Sequence, residues 1–156
     1  MPALISYRTS IEAQWVDYNG HLRDAYYLLI FSYATDALMQ RIGLDADSRE
    51  RDGHTLFTLE CHLNYLHEVK LGTEVWVQTQ IVGFDRKRLH LYHSLHREGF
   101  AQALAASEQM LLHVQLDGPK SAPFSEPGQA SLEALARAQH DLPVPQYLGR
   151  VMRLPG

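Results

Sequence analysis

An α+β domain, with a long antiparallel sheet curled around one apolar helix, is the architecture this sequence predicts. Three observations carry the prediction. Residues 22–42 repeat apolar side chains at three- and four-residue steps (Tyr27, Phe31, Ala34, Leu38, Ile42), with Leu28, Leu29 and Ile30 thickening the stripe. Four segments rich in β-branched and aromatic residues then follow one another with short breaks. Beyond residue 117, Pro119, Pro123 and Pro127 end the run of strands. A helix so apolar around its first turns needs cover on several sides, which a curved sheet supplies.

Taken in order, residues 6–15 alternate loosely and read as a first strand. The helix follows over 22–42, with Gly43 as its stop. Residues 44–53 are polar, rich in Asp and Arg, and read as a loop. The segment 54–69 is a strand whose one face carries Phe57, Leu59, Cys61, Leu63 and Tyr65, and the other Thr58, Glu60, His62, Asn64 and Glu68. Gly72 separates it from a strand over 74–84. A turn at 83–87 leads to a strand over 88–97, and Glu98-Gly99 makes a tight turn into a fourth long strand over 100–116. A short amphipathic helix over 131–139, capped by Ser131, and an extended tail from Leu142 complete the chain. The expectation is one domain over 1–156, with its core at about 5–117 and a C-terminal helix and tail over 118–156.

Composition excludes several classes. With 14 Lys and Arg against 18 Asp and Glu, the formal charge of −4 argues against a nucleic-acid binder. No apolar run approaches the roughly 18 residues of a membrane span, and MPALISYRTS lacks a signal-peptide core. Cys61 is the single cysteine, which removes an internal disulfide and fits a reducing, cytoplasmic setting. Nine histidines invite a metal, but His90, His93 and His96 stand three apart in a strand, so His93 faces one way and the other two the opposite way. No HExxH or Cys/His cluster occurs, so the expectation is no metal and no cofactor.

Residues 15–27 read W-V-D-Y-N-G-H-L-R-D-A-Y-Y. In an extended segment, alternate spacing would turn Asp17, Asn19 and His21 to one side. The helix that follows offers backbone N–H donors and a positive dipole end beside them. An acid/base pair next to oxyanion donors is what thioester hydrolysis requires. The same letters also spell a turn, with Asp and Asn capping the next helix.

This stretch, the following L-N-Y-L-H-E-V-K-L-G-T-E-V and the strand order resemble hotdog-fold acyl-CoA thioesterases of the 4-hydroxybenzoyl-CoA thioesterase-like family, over residues 5–117. Plant acyl-ACP thioesterases share D-x-N-x-H here and Y-x-x-E in the next strand, matching Asp17, Asn19 and His21, and Tyr65 with Glu68. The phrase V-D-Y-N-G-H is also similar to thioesterases of carnitine catabolism, which act on betainyl-CoA. Bacterial 4-hydroxybenzoyl-CoA thioesterases carry D-x-D, the second aspartate being nucleophile or base. Asn19 stands there in this chain, so the resemblance implies direct attack by water rather than a covalent intermediate.

The expected catalytic set is therefore Asp17, Asn19, His21 and Glu68. Glu68 or Asp17 draws the proton from water, Asn19 positions water or carbonyl, and His21 orients the carboxylate or protonates the thiolate. Backbone N–H groups near Arg23–Ala25 hold the oxyanion. The alternatives are structural: Asp17 as a cap, His21 as a first-turn surface residue, Glu68 as a solvated strand end. Glu60 is held in reserve, since eight strand residues put it roughly 26 Å from Glu68. Trp15, Tyr18, Tyr26 and Tyr27 are candidate substrate-binding residues, lining an acyl pocket or cradling a trimethylammonium group, or else core packing. Arg86, Lys87 and Arg88 form a basic turn suited to the phosphates of coenzyme A, or a solvated hairpin turn.

Two other functions remain open in the sequence: a non-catalytic acyl-CoA-binding module, and a hotdog enoyl-CoA hydratase. The hydratase pattern resembles D-x-N-P-x-H, whereas here the spacing is one shorter and Gly20 replaces the proline. An unpaired sheet edge and the family's site at a subunit boundary imply a homodimer, or two dimers paired into a homotetramer.

Overall fold

The computed structural model describes residues 3–156. Nine elements are set out in chain order: β1 (Leu4–Ser10), α1 (Asp24–Arg41), α2 (Ala46–Asp52), β2 (His54–Tyr65), β3 (Glu74–Phe84), β4 (Arg88–Arg97), β5 (Ala105–Gln115), β6 (Lys120–Ser121) and α3 (Glu126–Ala138), with a 3-10 turn at Ala13–Trp15. The strands form one antiparallel sheet in the order β1-β3-β4-β5-β2, and β6 pairs with β5.

The helix α1 lies against the inner face of this sheet. Ile30, Phe31, Ala34 and Leu38 are fully buried, and burying each of the large ones contributes about 1.5–3 kcal/mol. Asp24 in its first turn and Arg41 in its last match the helix dipole. Gly43, at φ +84°, makes the stop that its sequence position predicts.

The core is two apolar clusters. One gathers Trp15, Tyr27, Phe31, Val77 and Leu95; the other gathers Leu38, Ile42, Ile81, Leu91, Leu111 and Leu132. Between them a polar rung crosses the inner face, because Thr79, His93 and Ser107 are register partners on β3, β4 and β5. All three are fully buried. His93 Nδ1 meets Thr79 Oγ1 at 2.8 Å and Nε2 meets Thr35 Oγ1 of α1 at 2.9 Å. Ser6 Oγ extends the line, 2.7 Å from Thr79 Oγ1. As the alternation predicts, His93 points inward and its neighbours His90 and His96 outward.

One row along, Gln80, Tyr92 and Glu108 are partners on the outer face. The C-terminal tail runs across them: Gln80 Nε2 donates to Pro143 O at 3.4 Å, and Gly149 N–H donates to Glu108 Oε1 at 2.7 Å. The tail is thus a transverse strap on the outer face, away from residues 15–27.

Six expectations are corrected. The strand expected over 54–69 ends at Tyr65, and the one expected over 100–116 begins at Ala105. Residues 44–53 hold the helix α2, whose polar turns bury little; Asp45 caps it by accepting from Ser48 N–H at 2.8 Å, and Gly53 closes it at φ +70°. The first strand stops at Ser10, five residues short of Trp15, which ends the 3-10 turn. The last helix begins at Glu126 with Ser125, not Ser131, as its cap; Pro127 in the first turn costs no hydrogen bond there. On β2, a bulge between Thr58 and Glu60 flips the alternation. Cys61, Leu63 and Tyr65 keep the inner face, whereas Phe57 pairs with outward Leu112. Phe57 and Leu59 are 42% and 55% exposed on this edge strand. Among the described residues no helix is long and apolar enough to cross a membrane.

Candidate active site

Residues 16–22 form a narrow loop rather than an extended strand. Val16 and Leu22 pair, Asp17 N–H donates to His21 O at 2.9 Å, and Gly20 N–H donates to Asp17 O at 3.0 Å. Gly20 sits at φ +76°, which a side chain would resist. The Asp17 carboxylate turns into the loop, where Oδ1 accepts from Asn19 N–H at 2.9 Å and His21 N–H at 3.2 Å. The His21 N–H holds its carboxyl below the usual carboxylate range, with Asn19 N–H adding to the effect. The turn reading of D-Y-N-G therefore describes the backbone, but Asp17 staples the loop instead of capping α1, whose first turn follows Arg23 without a side-chain cap.

A second set of bonds sews this loop to residues 69–71. His21 pairs with Lys70, Leu22 N–H donates to Val69 O at 2.8 Å, and Leu71 N–H donates to Gly20 O at 2.9 Å. That register delivers Glu68 to the histidine: His21 Nε2 lies 3.5 Å from Glu68 Oε2. The separation is long for a hydrogen bond, and catalytic contacts commonly tighten when substrate arrives.

The pair stands at a cleft of about 310 Å³ lined by Asp24, Tyr27, Tyr65, His67 and Glu68, among others. Tyr27 and Tyr65 meet edge to face, with centroids 5.2 Å apart. Tyr27 donates to His67 O at 3.1 Å, and burial, then the Glu68 charge, push its phenol up to about 12. At the helix start, Arg23 N–H is taken by Trp15 O and Ala25 N–H by Asp24 Oδ1. Asp24 N–H has no protein acceptor among the described residues.

The remaining sequence-predicted residues fall into four groups. Asn19 is exposed beside the loop, and its backbone N–H serves Asp17. Trp15 and Tyr26 stack on each other at 6.3 Å as part of the core, and Tyr18 is 93% exposed, so of the four aromatics only Tyr27 lines the cleft. Arg86, Lys87 and Arg88 lie beyond the far end of β3, about 33 Å from the site end of the same strand at the usual rise per residue. Arg88 is bound by Asp85, whose carboxyl it holds down at about 2. Glu60 is far from Glu68, beside His62 on the outer side of β2. Tyr65 was legible only through Y-x-x-E, and Asp24 carried no signal of its own.

A second imidazole–carboxylate pair, His90 Nε2 with Glu108 Oε2 at 2.7 Å, is spent on the tail strap through the carboxylate's other oxygen. Among the described residues no three His, Cys, Asp or Glu side chains converge as metal ligands would.

Comparison with known proteins points the same way as the geometry. A profile of the thioesterase-like superfamily matches residues 11–135. The betainyl-CoA thioesterase of Pseudomonas aeruginosa is 64% identical over 152 residues, which is 97% of this chain and 96% of that protein. The crystal structure of a thioesterase candidate from Pseudomonas putida KT2440 superposes with a TM-score of 0.90 at 67% identity, covering 100% of this chain and 99% of the other. A hypothetical protein of Staphylococcus aureus, in complex with CoA, superposes at 0.92 with 29% identity over 99% and 98% of the two chains. The helix wrapped by an antiparallel sheet and these matches together establish that the chain belongs to the thioesterase-like superfamily, as a hotdog-fold thioester hydrolase.

Proposed function

We propose that the protein hydrolyses betainyl-CoA, with water adding to the thioester carbonyl and CoA leaving as its thiol. The relative that acts on betainyl-CoA by name supports the acyl group. The observation that carries the chemistry is the imidazole–carboxylate pair His21–Glu68 at the mouth of the cleft by the N-terminus of α1. Glu68 takes the proton from water. His21 steadies that carboxylate and supplies a proton to the departing thiolate. Asp24 N–H, open at the positive end of the helix dipole, receives the oxyanion. The Asn19 carboxamide positions the water, and Asp17 holds the loop that carries both residues. With both its backbone partners lowering its proton affinity, Asp17 is a poor base.

The working unit in this reading is a cytoplasmic homodimer joined through the exposed edge of β2, with pairing of dimers giving a tetramer. Exposed Phe57 and Leu59 along that edge support it. Antiparallel pairing of two such edges sets the Tyr65 end of one copy beside the His54 end of the other. Arg86 and Lys87 sit at that second end, so the phosphates of CoA would be met by the basic turn of a second copy. Free-thiol release from betainyl-CoA tests the chemistry. Glu68→Gln should lose roughly 10²–10⁴-fold in kcat, and His21→Ala a comparable factor. Wild-type turnover by both variants would refute the assignment, and tight binding without thiol release would favour a non-catalytic acyl-CoA module.

A further inference from the structure

Resting on that reading, we infer that Tyr65, backed by Tyr27 and rimmed by the Asp24 carboxylate, is the subsite for a quaternary ammonium group on the acyl chain. A trimethylammonium ion has no N–H to donate. It is recognised instead by the faces of electron-rich rings and by nearby carboxylates. The cleft beside Glu68 has both. Tyr27 and Tyr65 stand at 88° to one another, giving two walls at a right angle. Tyr65 is half exposed, which leaves a ring face open, while Tyr27 is buried behind it.

Each ring is anchored through its hydroxyl. Tyr65 donates to Asp24 O at 3.2 Å and Tyr27 to His67 O at 3.1 Å, so each hydroxyl is spent on a carbonyl. Neither O–H is left to donate to a hydrogen-bond-accepting acyl group. The field is negative: Asp24 offers Oδ2 while Oδ1 accepts from Ala25 N–H at 2.8 Å, and Glu68 lines the same cleft. The Asp24 charge, after burial, also raises the Tyr65 phenol. Two imidazoles flank the site, His21 against Glu68 and His67 against Gln102 Oε1 at 3.1 Å.

Position matters as much as charge. In a trimethylammonioacetyl thioester the nitrogen lies about 2.5 Å from the carbonyl carbon. The cation subsite must therefore adjoin the hydrolytic pair, and Glu68 belongs to both. The aromatic group Trp15, Tyr18 and Tyr26 offers no such place, because two of its rings stack on each other and the third points to solvent.

The discriminating measurement uses two substrates of one shape: betainyl-CoA and 3,3-dimethylbutyryl-CoA, in which carbon replaces the nitrogen. The ratio of their kcat/KM values is measured for wild type, Tyr65→Leu, Tyr65→Phe and Asp24→Asn. Comparing the ratio between variants cancels the intrinsic difference in thioester reactivity. Tyr65→Leu should lower the preference for the cation by roughly 3- to 30-fold, Tyr65→Phe should restore most of it, and Asp24→Asn should lower it. Equal losses on both substrates would make Tyr65 a structural residue and overturn the proposal, as would an unchanged ratio. If wild type releases thiol from neither substrate, hydrolysis itself fails. The ratio of calorimetric dissociation constants then decides the subsite separately.

Discussion

Replacing His93 by glutamine perturbs an imidazole that lies fully inside the core, and its effect on stability is calculable. Thr35 Oγ donates to Phe31 O at 3.2 Å, so toward His93 Nε2 it accepts. The neutral Nε2–H tautomer follows, with Nδ1 accepting from Thr79 Oγ–H. Burial holds this imidazole neutral down to about 3, against 6.5 for a free one. The unfolded chain therefore binds a proton below pH 6.5 that the native protein refuses. Stability from this site is complete above pH 6.5 and is lost as the pH falls toward 3, at about 1.4 kcal/mol per unit. Between pH 7 and pH 5 the loss is about 2 kcal/mol. His96 and His113, also lowered by burial, tilt the wild-type curve the same way. The comparison with His93→Gln isolates the share of His93. The lowered carboxylates of Asp17, Asp45 and Asp85 act only below their ordinary range near pH 4, outside this window. Urea unfolding at pH 7, 6 and 5, at one protein concentration, reads the difference. The variant should start less stable by about 1–3 kcal/mol, from a disturbed hydroxyl partner, and then fall less steeply. Parallel curves for the two proteins would refute the reasoning.

Two further outcomes follow from the edge and the strap. Leu59→Lys places a charge on the exposed edge of β2 and should turn the proposed dimer into a 17.8 kDa monomer by light scattering, with thiol release falling in step. Glu108→Ala removes the acceptor of Gly149 N–H, and proteolysis within residues 142–150 should speed up by roughly tenfold, with the sheet core untouched.

The helix wrapped by strands was legible because Phe31, Ala34 and Leu38 repeat on a period that only burial explains. The meeting of His21 with Glu68 was legible through the resemblance that matches D-x-N-x-H and Y-x-x-E, whereas the extended backbone expected around Asp17 gave way to the turn that D-Y-N-G also spells. What spacing does not carry is parity after a bulge: Leu59 looks like its strand neighbours until one residue is unpaired and Phe57 turns outward. The α2 segment D-A-D-S-R-E-R-D has no apolar stripe, so its Asp45 cap and Gly53 stop were its available signals. The prolines of 119–127 concealed the start of α3, although Ser125-Glu126-Pro127 is a helix-opening sequence. Tyr26 and Tyr27 are adjacent letters and both pack with the Trp15 cluster, but only Tyr27 also reaches the cleft. Only the helix rotation sets that difference.

The polar rung that splits the core has a consequence for how this protein tolerates change. Substitutions around Trp15, Val77 and Leu95 disturb the half that supports the cleft, and those around Leu111, Ile81 and Leu132 disturb the half that does not. Side chains without shared partners have nearly additive effects on stability. The cleft half is therefore free to be reshaped for a different acyl group while the distant half supplies compensating stability, and the row of hydroxyls and imidazole between them keeps the two accounts separate.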